Sequence, residues 1–208
     1  SVACSPDGTQ IAAALASGQI VLLDAASGER TGTLDAHSGV VWQMAYSNAG
    51  DRLFSAGEDG KAVVWNLASG APLQVIQPYR YEKPAEGAPT PTLGGLVPIG
   101  DYYAVNTVAP FPDGTLLALA ADQHGDEILI YDATTGERLR ALPGHAGNIW
   151  ALDISPDGRW LAAASAEDVV TIQDIDSGAV RLTLDGPKAG SLEWLAAVTF
   201  SPDGTLVA

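Results

Sequence analysis

AHSGVVWQMAYSNAGDRLFSAGEDGKAVVWN, residues 36–66, is a run of short β-rich segments separated by turn chemistry. Val40 to Tyr46, Asp51 to Ala56 and Ala62 to Trp65 read as strands, and Pro72 to Ile76 supplies a fourth. The first turn is Ser47-Asn48-Ala49-Gly50, and the third is Ser69-Gly70. Between them, Asp59-Gly60 predicts a two-residue type I′ hairpin, because glycine takes φ > 0 without steric cost. The segment is therefore an antiparallel meander of four strands.

The same grammar recurs along the chain. Ser-Pro-Asp-Gly begins at Ser5, Ser155 and Ser201, with variants beginning at Ser47 and at Phe111-Pro112-Asp113-Gly114. A second landmark keeps the same phase: Leu23-Asp24, Trp65-Asn66, Tyr131-Asp132 and Gln173-Asp174, each followed by Gly28, Gly70, Gly136 or Gly178. Two independent markers at a period of about 42–46 residues define an internal repeat. They place strands within 1–34, 40–76, 103–142 and 148–184, with the start of a fifth unit at 194–208.

The third strands, such as Ile20 to Leu23 and Ile128 to Tyr131, are continuously apolar, as expected where both faces are covered. The fourth strands alternate, as in Arg138-Leu139-Arg140-Ala141-Leu142 and Arg181-Leu182-Thr183-Leu184, which marks an outer edge guarded by charge. A four-stranded sheet cannot bury two faces alone. Stacking successive sheets about an axis gives an all-β fold, a β-propeller segment of four-stranded antiparallel blades, about four blades plus the start of a fifth.

Composition narrows the function. With 10 Lys and Arg against 25 Asp and Glu the formal charge is −15, which opposes phosphate backbones and anionic lipid and excludes general nucleic-acid binding. The longest apolar runs, Ile11 to Ala16 and Leu116 to Ala121, fall far below the roughly 20 residues of a helical membrane span, so no membrane insertion is expected. The single cysteine, Cys4, rules out an internal disulfide and a zinc cluster of several thiolates. The opening residues Ser5 to Ala12 resemble the closing residues Ser201 to Ala208, so the chain is expected to be an excerpt of a longer protein.

Ala36-His37, the Val41-Trp42 pair, Ser47, Leu53, Ser55, Asp59-Gly60, Val63 and Trp65-Asn66 together resemble the WD-repeat family, of the bacterial type. Residues 144–174 repeat much of the pattern, opening Gly144-His145-Ala146-Gly147-Asn148-Ile149-Trp150. Repeated Pro-Asp-Gly also fits a TolB-like propeller, which leaves a ligand- or metal-binding, axial-channel propeller as the alternative. The resemblance implies a non-enzymatic scaffold that presents loops for protein–protein interaction. It also implies an arc of a larger ring, since seven blades at this period need roughly 290 residues.

His37, Ser55 and Asp59 are the residue types of a nucleophilic triad, but Ser55 sits in mid-strand and not on the exposed elbow an attacking hydroxyl needs. The resemblance assigns these three and Trp65 to a structural hydrogen-bond tetrad. The fourth blade carries Ala163, Glu167 and Gln173 at the positions of Ser55, Asp59 and Trp65, and the first carries Ala13, Ser17 and Leu23. His145 is thus expected to lack its family partners, and His37→Ala to cost more than His145→Ala.

Asp122, His124, Asp126 and Glu127 crowd one hairpin but lack the spacing of a recognised calcium loop, so no metal or cofactor is expected. Asp7, Asp59, Asp113, Asp157 and Asp203 are turn residues, which accounts for part of the acidity. One repeat interval is longer than the others. The inserted loop is residues 77–102, and the stretch from Gln77 to Tyr103 holds five of thirteen prolines and four of six tyrosines. Tyr with Arg is the composition of binding hot spots, so Tyr79, Arg80, Tyr81, Lys83 and Tyr102 are candidate partner-binding residues for a protein or peptide. Alternating strand direction puts this insertion and the Asp122 to Glu127 hairpin on one face of the disc, as a composite surface.

Overall fold

A computed structural model describes residues 1–78, 103–121, 127–145, 147–166, 169–186 and 197–208. Its strands form four antiparallel four-stranded sheets, each a meander in chain order. Blade 1 contains β1 (Val2–Cys4), β2 (Gln10–Ala14), β3 (Ile20–Asp24) and β4 (Arg30–Leu34). Blade 2 contains β5 (Val41–Tyr46), β6 (Arg52–Gly57), β7 (Ala62–Asn66) and β8 (Ala71–Ile76). Blade 3 contains β9 (Val105–Pro110), β10 (Leu116–Ala121), β11 (Glu127–Asp132) and β12 (Arg138–Pro143). Blade 4 contains β13 (Ile149–Ile154), β14 (Trp160–Ser165), β15 (Val169–Asp174) and β16 (Val180–Asp185). Beyond them, Phe200 bridges Val207 antiparallel.

The turns follow the repeated residues. In Ser5-Pro6-Asp7-Gly8 the Ser5 hydroxyl donates to Asp7 Oδ1 at 2.6 Å, and the same carboxylate accepts the Thr9 N–H at 3.0 Å. Ser201 and Asp203 repeat the arrangement, and in Ser47 to Asp51 the hydroxyl donates to Asp51 at 2.8 Å. At the other landmark Asp24 and Asp174 accept the N–H groups of Ser27 and Ser177. Those hydrogen bonds hold the carboxyl groups of Asp7, Asp24, Asp113, Asp132 and Asp157 below their ordinary value, and those of Asp174 and Asp203 at about 2. Each carboxylate terminates a strand by offering the backbone an alternative to the ladder.

One turn differs from expectation. The β6–β7 connection closes with Gly57 N–H donating to Lys61 C=O and Gly60 N–H to Gly57 C=O, with Gly60 at φ +74°. This is a three-residue loop rather than a two-residue one. The extra residue leaves the Asp59 side chain pointing back over the sheet, where it has partners.

The continuous apolar run of the third strands has a direct cause. In β7 the side chains of Ala62 and Val64 join a core shared with blade 3, while Val63 and Trp65 join a core shared with blade 1. In β11, Leu129 and Tyr131 pack toward blade 2 and Ile128 and Ile130 toward blade 4. A final core joins Ala162, Ala164 and Ile172 to Val198, Phe200 and Val207. Packing is serial: β1 lies on β5, β5 on β9 and β9 on β13. Among the described residues no core cluster joins blade 1 to blade 4.

Polar side chains stitch neighbouring blades. Tyr46 Oη donates to Gln10 Oε1 at 3.0 Å, and Val108 N–H donates to Gln43 Oε1 at 3.1 Å. Thr107 donates its hydroxyl to the same Gln43 oxygen and accepts Leu152 N–H at 3.1 Å. Arg140, expected to guard an outer edge, instead reaches the carbonyl oxygens of Ile175 and Asp176 on the next blade. Its long stem spans the gap between sheets while its charged end finds backbone acceptors. On β16 the positions of buried Leu34, Ile76 and Leu142 are occupied by Leu184, which is 44% exposed.

Candidate functional site

The tetrad residues come from four different places. His37 sits in the link between β4 and β5, Ser55 in the middle of β6, Asp59 in the β6–β7 turn and Trp65 on β7. Register brings them together: Leu53 pairs with Trp65 and Ser55 with Val63, which puts Ser55 and Trp65 on the sheet face toward blade 1. Trp65 Nε1–H donates to Ser55 Oγ at 2.9 Å, Ser55 Oγ lies 2.7 Å from His37 Nε2, and His37 Nδ1 lies 2.9 Å from Asp59 Oδ1. Ser55 and Trp65 are wholly buried, and His37 and Asp59 nearly so.

One pattern of protons satisfies the chain. The Nδ1–H tautomer donates to the carboxylate, which leaves Nε2 to accept the serine O–H, and the serine oxygen accepts the indole N–H. Asp59 Oδ2 accepts Ser38 N–H at 2.9 Å and lies 3.4 Å from Lys61 Nζ, which also donates to Ala36 C=O. Burial pushes the Asp59 carboxyl up. The His37 hydrogen bond, the Ser38 N–H and the Lys61 charge outweigh it and hold the group at about 2.

The sign of the pH dependence follows. A carboxyl at about 2 in the folded state and roughly 4 unfolded adds stability that is whole above pH 4 and lost as pH falls through 2. Near pH 6, Asp59→Asn is expected to be about 2–3 kcal/mol less stable than the wild type. The gap should narrow from pH 4 downward and close below pH 2 in urea melts. A constant gap across that range would show that charge on Asp59 is not what stabilises the blade.

In the fourth blade His145 lacks the serine and tryptophan partners, as its sequence implies, but other side chains take their place. That side chain is buried, with Nδ1 2.9 Å from Thr171 Oγ1 and Nε2 3.0 Å from Gln173 Oε1. Gln173 Nε2 in turn donates to the carbonyl oxygens of Pro143 and Gly178, so its oxygen is the end that accepts from the histidine. Gln173 stands where blade 2 has Trp65, and an amide carries both the donors and the acceptor that the site needs. Burial pushes the His145 pKa down, against the Gln173 hydrogen bond. His145→Ala is therefore expected to cost as much as His37→Ala, about 1–3 kcal/mol each by chemical denaturation. A His145→Ala loss well below that of His37→Ala would contradict this. Sequence reasoning missed Thr171 and Gln173; the polar residue at the landmark position of an otherwise aromatic or apolar series was the available signal.

As chemistry, the tetrad is closed. Ser55 Oγ lies beneath the sheet surface and already accepts the Trp65 indole, so no substrate carbonyl reaches it. Of the candidate partner-binding residues, Tyr79, Arg80, Tyr81, Lys83, Tyr102, Asp122, His124 and Asp126 lie outside the described residues. Glu127 is exposed at the start of β11. Among the described residues no group of three or more His, Cys, Asp or Glu side chains is placed to hold a metal ion, and no helix is long and apolar enough to cross a membrane.

Comparison with known proteins agrees with this geometry. The family described as WD domain, G-beta repeat matches residues 28–66 and 136–174, the two stretches that carry His37 with Trp65 and His145 with Gln173. Eukaryotic translation initiation factor 3 subunit I of Pyricularia oryzae is 36% identical over 107 residues, covering 51% of this chain and 29% of that protein. U3 small nucleolar RNA-associated protein 21 of Saccharomyces cerevisiae is 29% identical over 192 residues, covering 82% of this chain and 19% of that protein. WD repeat-containing protein 1 of Rattus norvegicus is 40% identical over 86 residues, 39% of this chain and 14% of that protein. The chain thus spans less than a third of the length of these relatives. Residues 28–66 and 136–174 match the WD repeat, and the four antiparallel blades that contain them are consistent with a WD-type propeller.

Proposed function

We propose that the chain is a non-enzymatic scaffold that holds a protein or peptide partner, and that the partner meets the composite surface formed by Tyr79, Arg80, Tyr81, Lys83 and Tyr102 with Asp122, His124, Asp126 and Glu127. The observation that carries the proposal is the enclosure of the tetrad: this constellation of catalytic residue types among the described residues spends its hydrogen bonds on joining elements of one blade. Function is then left to what the rigid blades display at their ends. Two relatives are named as a factor subunit and as an RNA-associated protein, and a charge of −15 favours a protein over a nucleic acid as the partner of this chain.

Replacing residues 79–98 with a short Gly-Ser linker is expected to abolish partner capture by in-cell cross-linking while leaving the urea midpoint unchanged, because the four sheets close without that segment. Capture that survives the deletion would overturn the assignment of this surface.

A further inference from the structure

His37 and His145 stand at the same place in their repeats, in the link that enters an inner strand, yet the two rings are held the opposite way. At His37 the Asp59 carboxylate takes the Nδ1–H and Nε2 accepts from Ser55 Oγ. At His145 the roles are exchanged. Gln173 spends its amide N–H groups on the carbonyl oxygens of Pro143 and Gly178, so its Oε1 is the acceptor and His145 Nε2 carries the proton. Nδ1 then accepts from the Thr171 hydroxyl. One repeat holds the Nδ1–H tautomer and the other the Nε2–H tautomer.

The consequence appears when a proton is added. An imidazolium at His37 donates to a carboxylate that balances its charge. At His145 the new proton falls on Nδ1, which faces a buried hydroxyl already donating to it, with no carboxylate among its partners to offset the loss of water. Around it, Arg140 on β12 pairs with Asp176, Asp174 on β15 pairs with Arg159, and Asp153 on β13 accepts from Thr199 and Phe200. Glu127 on β11, Arg138 on β12 and Arg181 and Asp185 on β16 are exposed. Among the described residues none of these charges enters the balance at His145, where burial pushes the ring toward its neutral form against the Gln173 hydrogen bond. Glu167, at the position of Asp59, lies outside the described residues.

The site is also a seam. Gln173 belongs to β15 of blade 4 and Pro143 ends β12 of blade 3, so the amide that holds His145 also ties the two blades. Leu142 and Ile149, on either side of the link, are buried in the core that blades 3 and 4 share. We propose that the His145, Gln173 and Thr171 cluster makes the joint between blades 3 and 4 acid-sensitive, opening when His145 takes up a proton, while His37 and Asp59 keep the joint between blades 1 and 2 closed under the same conditions.

The sign follows from the two states of the ring. A histidine held below its ordinary value of 6.5 in the closed joint charges more readily in the open one, so its stabilisation is whole above that pH and is lost as pH falls through the closed-state value. Asp59 responds only below about pH 4, so the two joints answer to separate ranges. The inference does not depend on the scaffold reading.

Two measurements on the full chain test it. Long-range proton–nitrogen NMR of histidine-labelled protein, assigned with His37→Gln and His145→Gln, should show Nδ1–H at His37 and Nε2–H at His145 at neutral pH. Amide hydrogen exchange, corrected for the intrinsic pH dependence of the rate, should show protection in β13 and β15 falling at least about fivefold between neutral pH and about pH 5, with β5 and β7 unchanged. His145→Gln, which does not titrate, should remove the difference between the blades, and Glu167→Gln should leave it in place. An Nδ1–H tautomer at His145, an equal change in blades 2 and 4, the same loss in His145→Gln, or a loss abolished by Glu167→Gln would each overturn the proposal. The tautomer and exchange readings use the unaltered sequence, so they decide the matter even where His145→Gln does not fold.

Discussion

Trp65→Ala is expected to destabilise the protein by about 3–5 kcal/mol, the range for removing a fully buried large aromatic side chain. Trp65 is wholly buried between blades 1 and 2, in one core with Leu22, Leu34, Val41, Met44 and Leu53. Truncation opens a cavity between two sheets that hold each other by packing, and it removes the indole donor from Ser55 Oγ. Trp65→Phe separates the contributions. It keeps most of the volume and loses the N–H, so it should cost about 1–3 kcal/mol. Urea denaturation followed by far-ultraviolet circular dichroism reads both. A Trp65→Ala loss below about 1 kcal/mol would mean that blades 1 and 2 do not depend on this contact.

Gly57→Ala is the second large effect, about 3 kcal/mol, from overpacking together with broken hydrogen bonds. A methyl at Gly57 would lie 2.6 Å from His37 Nδ1, 2.9 Å from Asp59 Oδ1 and 3.0 Å from His37 Cε1. It would therefore occupy the space around the His37–Asp59 hydrogen bond. The control is a double-mutant cycle: in a His37→Ala background the added methyl meets no imidazole, and most of its cost should disappear. Equal costs in the two backgrounds would place the strain elsewhere.

The repeat was legible because its signals are local. Asp7, Asp24, Asp174 and Asp203 act on N–H groups two or three residues away, so the turns they make can be read from short windows of sequence. Strand order followed from the same turns, since each connects neighbours in an antiparallel sheet. The tetrad was partly legible: His37, Ser55, Asp59 and Trp65 could be named from the resemblance to the WD-repeat family, and their residue types allow one consistent set of donors and acceptors. The hairpin loop was misread by one residue. Asp59-Gly60 suits two-residue turns and three-residue loops alike, and the His37 contact made across the sheet favours the longer form.

By itself the sequence determined the all-β class, the four-stranded units and the placement of the turns. Alternation and turn residues each act within a few residues, and that scale needs no coordinates. Tertiary structure alone decided that Gln173 and Thr171 serve His145, that Arg140 bridges to blade 4, and that Gly57 leaves room for an imidazole. Such contacts join residues 20 to 35 positions apart, through distances of about 3 Å set by how one sheet lies on the next. No periodic pattern in the chain encodes an interval that short between atoms that remote.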